Sequence, residues 1–157
     1  MGTSILIFSV VGGLVGGSLG LLLLWLMADK AQQQYPHASI MLPENQHAQA
    51  AADLAAWADA NGYQAQASLV DRQPCYRKGR GWLTSATEIR LHPNGQVDID
   101  EVVNFLVGSR RFALNAPVML GQPVRRHKLK AVNQLLAQWQ LPPLMIEAAK
   151  VAVKIKK

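Results

Sequence analysis

The feature that most constrains this chain is an unbroken run of 24 uncharged residues, 5–28 (ILIFSVVGGLVGGSLGLLLLWLMA). As a helix rising 1.5 Å per residue the run measures about 36 Å, more than the roughly 30 Å hydrocarbon core of a bilayer. Lipid offers a backbone amide no partner, so a single apolar segment of this length crosses only as a helix. The run therefore predicts a transmembrane anchor over residues 1–28. A cleaved signal peptide fits less well, because it needs a basic leader, an apolar core of about 7–15 residues and a small-x-small cleavage site. No Lys or Arg precedes the run, and Leu21 to Met27 lead straight into Asp29-Lys30.

Within the run Gly12, Gly16 and Gly20 fall four apart, as do Ser9, Gly13 and Gly17. Both rows lie on one helical face and leave a smooth strip that another helix can approach closely. The strip predicts docking on a larger membrane protein or on a second copy of the chain. The same residues spell a formal G-x-S-x-G (Gly16 to Gly20), but that motif works only on a strand-to-helix elbow with a His and an acid in reach.

Charge is unevenly spread. Residues 1–120 hold eight Lys/Arg against nine Asp/Glu, whereas residues 121–157 hold eight against one. The net charge of +6 thus belongs to the C-terminal end, which is where an anionic partner is expected. Lys30 follows the apolar run and no basic residue precedes it, so the positive-inside rule predicts the N-terminus outside and the rest in the cytoplasm. The expected location is the inner (plasma) membrane of a bacterial-type cell, with a single pass. One cysteine, Cys75, excludes an intramolecular disulfide framework.

Beyond the anchor, residues 29–43 read as a juxtamembrane linker, with Pro36 and Pro43 preventing a continuous helix. Residues 44–60 are alanine-rich, carry a stripe of Ala50, Leu54, Trp57 and Ala58, and stop at Asn61-Gly62, which predicts a helix. Residues 63–70 alternate as a half-buried strand, and 71–81 read as a loop. Residues 86–92 and 96–99 form a hairpin around Pro93-Asn94-Gly95. Residues 100–107 suit a short helical turn capped by Asp100 and ended at Gly108, with a strand as the alternative. Residues 112–114 and 117–120 read as extended. A helical period over 123–140 puts Leu129, Val132, Leu135, Leu136 and Trp139 on one face, and Pro142-Pro143 ends it. The fold class is α+β: one N-terminal transmembrane helix plus a small domain over 44–141, a short antiparallel sheet packed by helices, and a basic tail over 142–157.

Few residues carry chemistry. Residues 90–101 (RLHPNGQVDIDE) match the second half of a calcium loop, but Arg90 and His92 stand where the ion needs oxygens. His37, His47, His92 and His127 lack paired metal-ligand spacing, and no P-loop or dinucleotide fingerprint occurs, so no metal, cofactor or catalytic residue is assigned. Arg77, Lys78 and Arg80 beside Cys75 favour its thiolate. The same three, together with Arg125, Arg126, Lys128 and Lys130, are the anion-binding candidates. The second group crowds a helix N-terminus against its dipole, which an anion would relieve. Lys150, Lys154, Lys156 and Lys157 suit anionic lipid headgroups, at about 1 kcal/mol each near such a surface. The leading expectation is a non-catalytic, single-pass accessory or scaffold protein that docks on other membrane proteins or on itself through the glycine face. The alternative is a membrane-tethered binder of nucleic acid or other phosphate-bearing partners.

Overall fold

The computed structural model describes residues 2–80, 85–106, 108–119 and 121–146, with side chains from Gly16 onward. In chain order the elements are α1 (Gly2–Gln34), β1 (Ala38–Met41), a 3-10 turn (Glu44–Gln46), α2 (His47–Ala60), β2 (Gln64–Ala67) and β3 (Pro74–Lys78). Then come β4 (Ala86–Leu91), β5 (Gln96–Phe105), β6 (Gly108–Ala113) and α3 (Gln122–Gln138). The strands form one antiparallel sheet in the order β1-β5-β4-β3-β2, with β6 also on β5. β5 is long enough to serve two partners on one edge. β1 pairs its first half, from Met41↔Gln96 to Ala38↔Ile99, and β6 its second half, from Asp100↔Ala113 to Phe105↔Gly108. β4 takes the other edge, with Ile89 opposite Ile99.

Strand alternation decides the two faces. Ile89, Val97, Ile99, Val103 and Phe112 join one core with Leu54 and Trp57 of α2, Leu129, Val132, Leu135 and Leu136 of α3, and Trp139. Both helices therefore cover the same face of the sheet, as α+β architecture requires. The apolar stripes expected from sequence on these two helices are buried.

Several local expectations are corrected. Residues 100–105, expected as a helical turn, are the second half of β5. Ladders to β4 and β6 on both edges, with Val102 and Val103 buried, outweigh the capping signal of Asp100. The expected loop 71–81 contains β3, whose charged residues hide a strand that opens on Pro74, where no ladder donor is needed. The expected linker 29–43 is structured: α1 runs on to Gln34, and β1 extends the sheet. Residues 117–119 form no strand of the sheet, and Leu120 lies outside the described residues. The start of the tail folds back, with Leu144 N–H donating to Asn133 Oδ1 at 2.8 Å and Leu144 O accepting from Asn133 Nδ2 at 3.1 Å.

The C-terminal end of α1 is built into the domain. Ala28 and Ala31 are fully buried, Arg111 N–H donates to Gln32 Oε1 at 3.2 Å, and Ala113 N–H donates to Tyr35 O at 2.8 Å. These contacts cover the outer edge of β6, which would otherwise present free backbone groups. Among the described residues no helix is long and apolar enough to cross a membrane. Residues 5–15 of the expected span lie outside those whose side chains are described.

Candidate functional site

Of the six glycine-face residues, Ser9, Gly12 and Gly13 lie outside the residues whose side chains are described. At Gly16, Gly17 and Gly20 an added Cβ would meet no atom within 4 Å, so the domain does not cover that face. A few residues on, α1 is held fast. The Arg110 guanidinium lies 4.8 Å from the centre of the Trp25 ring and donates from Nε to Asp29 Oδ1 at 2.8 Å. Trp25 and Asp29 are four apart and share a face, so one side chain of β6 clamps a full turn of α1. Leu21 and Leu24 line a cleft of about 340 Å³ with Phe105, Phe112 and Val124.

The basic candidates divide sharply. Along α3, successive residues turn by about 100°, so four cations close in sequence cannot share one surface. Arg125 is fully buried and donates to the carbonyls of Leu114, Ala116 and Val118. Burial pulls its pKa down. Lys128 Nζ donates to the buried Glu101 Oε1 at 2.8 Å and to Ser85 O at 3.0 Å. Arg126 and Lys130 point outward. At the other cluster Arg77 donates to Gln66 Oε1 and Ala67 O, and Lys78 donates to Asn61 O at 2.7 Å. With the exposed Arg80 they line a shallow hollow of about 500 Å³ with Gly62 and Gln64. Lys150, Lys154, Lys156 and Lys157 lie outside the described residues.

Cys75 is buried rather than activated. Burial, with the nearby Glu88 charge, pushes its thiol up to about 11, and the arginines around it offset this only in part. The thiolate expected from its basic neighbours does not form at neutral pH, because desolvation outweighs their field.

The helix-free face of the sheet carries an ionic lattice that sequence reasoning did not find. Arg111 Nη1 donates to Asp71 at 2.8 Å and Nη2 to Glu88 at 3.2 Å, and its Nε lies 3.7 Å from Asp100. His37 Nδ1 donates to Asp100 Oδ2 at 2.9 Å. His92 Nε2 donates to Asp98 Oδ2 at 2.7 Å, and Ser39 Oγ to Asp98 Oδ1 at 2.6 Å. The hydrogen bond to Asp100 raises the pKa of His37. Burial holds the Asp100 carboxyl above its usual range although His37 and Arg111 pull it down, and Arg111 holds Asp71 well below. The readable signal was the alternation Asp98, Asp100 with Glu88 and Arg90 in the paired strand. It was hidden by reading residues 100–107 as helical.

Among the described residues no group of His, Cys, Asp and Glu could hold a metal ion. Compared with protein-family models, with curated proteins and with solved structures, the chain matches none.

Proposed function

We propose that this protein is a non-catalytic, single-pass inner-membrane adapter: α1 anchors it and docks on a partner helix through its glycine face, and the domain lies on the cytoplasmic side. The partner is another membrane protein or a second copy of the chain. The observation that carries the reading is the continuity of α1. One helix of 33 residues, about 50 Å long, contains the whole apolar run and carries on into the domain, where Ala28 and Ala31 are fully buried. A docking event on the helix is thereby coupled to the orientation of the domain rather than lost in a flexible tether. The open strip at Gly16, Gly17 and Gly20 supports close helix approach, since small residues let backbones pack without lipid between them.

The test is Gly16→Ile. A branched side chain in the strip is expected to abolish co-purification of the partner, or to shift the oligomer to monomer, while membrane retention stays as in the wild type. Unaltered co-purification and oligomeric state would remove the glycine-face proposal.

Binding of nucleic acid or other phosphates has less support, because Arg125 and Lys128 are spent on internal contacts. What favours it is the hollow formed by Arg77, Lys78 and Arg80. Neutralising these three together with Arg126 and Lys130 should weaken retention on a nucleic-acid column if the reading holds. Unchanged retention excludes it.

A further inference from the structure

Resting on the membrane-anchor reading, we infer that one end of the domain is itself a lipid-contacting surface: the β5–β6 hairpin tip and the start of α3 sit in the headgroup layer, with Leu106, Met119 and Val124 directed into the acyl boundary. Three of the domain's large apolar side chains are displayed here, Leu106 at 81% exposure, Met119 at 83% and Val124 at 55%. Exposed apolar residues scattered singly need no explanation, but these are gathered where α1 leaves the domain. Phe105, Gly121 and Val124 share one cleft with Leu21 and Leu24 of α1. Leu106 follows Phe105 directly, and Met119 stands two residues before Gly121.

Height along α1 connects this patch to the bilayer. Residues 5–24 form about 30 Å of helix, one hydrocarbon thickness. Leu21 and Leu24 then occupy its last turn, and Trp25 falls at the interface, the level at which tryptophans anchor membrane helices. The clamp of Arg110 on Trp25 and Asp29, with Ala28 and Ala31 buried, ties the domain to α1 at that level. Whatever depth Leu24 reaches, the hairpin tip shares. Arg126 in the second turn of α3 and Lys130 one turn further are exposed, which suits anionic headgroups around an apolar patch.

The experiment uses the full chain in a Cys75→Ala background, reconstituted into vesicles of phosphatidylcholine and phosphatidylglycerol. An environment-sensitive fluorophore is attached in turn at Leu106→Cys, Met119→Cys, Met41→Cys and Leu19→Cys. Met41 is exposed and pairs with Gln96, at the far end of β5, about 30 Å from the hairpin tip. All four positions are exposed, so labelling leaves the core intact. Labels at Leu106 and Met119 are expected to emit at shorter wavelength than at Met41. They should be quenched by nitroxide-bearing lipid and shielded at least several-fold from aqueous iodide. Iodide quenching at Leu106 and Met119 equal to that at Met41, with Leu19 still quenched by lipid, would overturn this inference and leave the anchor standing. Iodide access at Leu19 as well would overturn the anchor reading and this inference with it.

Discussion

Arg110 and Arg111 are neighbours in the chain and serve opposite faces of the sheet. In a strand successive side chains point to opposite sides, so Arg110 meets α1 while Arg111 enters the ionic lattice with Asp71, Glu88 and Asp100. A dibasic pair that looks like one charge patch is thus two separate structural devices. Arg125 makes the same point on a helix: its guanidinium substitutes for backbone partners along 114–118. Arg125→Met keeps the bulk and removes the donors, leaving buried carbonyls unsatisfied at a cost on the order of 3 kcal/mol. The expected result is a clear drop in the chemical-denaturation midpoint, with secondary structure retained in the folded state. His37 acts through its charge. Its pKa is raised above 6.5 in the folded chain, chiefly by the hydrogen bond to Asp100. Its contribution is therefore complete below the unfolded value and is lost as pH rises through the folded one. Melting temperature should fall as pH rises through neutrality in the wild type, and His37→Gln should flatten that part of the profile. Identical profiles would refute the linkage.

At the scale of elements, the β4–β5 hairpin depends on Gly95. Its φ of +82° favours glycine, and a Cβ there would lie 2.0 Å from His47 Nε2, the atom that contacts Leu42 O at 3.0 Å. The turn, the loop after β1 and the start of α2 meet at this point. Gly95→Ala is expected to cost about 1–3 kcal/mol from the backbone alone, with displacement of the His47 ring added. Amide exchange at Leu42 and Gln96 should rise more than at the β6 end of the sheet. Helix α1 shows the element scale from the other direction. Its last turns are an edge cover for β6, a role that hydropathy does not announce.

At the scale of the whole molecule, the burial of Cys75 decides how topology can be read. A thiol pushed up to about 11 and shielded by the sheet is expected to resist maleimide in intact and in permeabilised cells, and to react only after denaturation. Arg80→Cys in a Cys75→Ala background supplies an exposed reporter on the same domain. Protection from an impermeant maleimide in intact cells, with labelling after permeabilisation, is the expected result for a cytoplasmic domain. Labelling in intact cells would reverse the orientation and remove nucleic acid as a partner.

Local periodicity was enough to read the apolar run of residues 5–28, the stripes of α2 and α3, the turn at Gly95, and hence the α+β class. Each is a property of near neighbours and survives without knowledge of the rest of the fold. Tertiary structure alone decided what depends on distant partners. β5 runs through Asp100–Phe105 because β4 and β6 complete its ladders, and β3 exists because β2 and β4 flank it. The expected linker became helix and strand because Ala31, Tyr35 and Ala38 found the core. The basic residues of α3 were divided between core and solvent by a helical rotation whose origin only packing sets. Charge is visible in a sequence, but the side of an element on which it falls is settled by what the opposite side must bury.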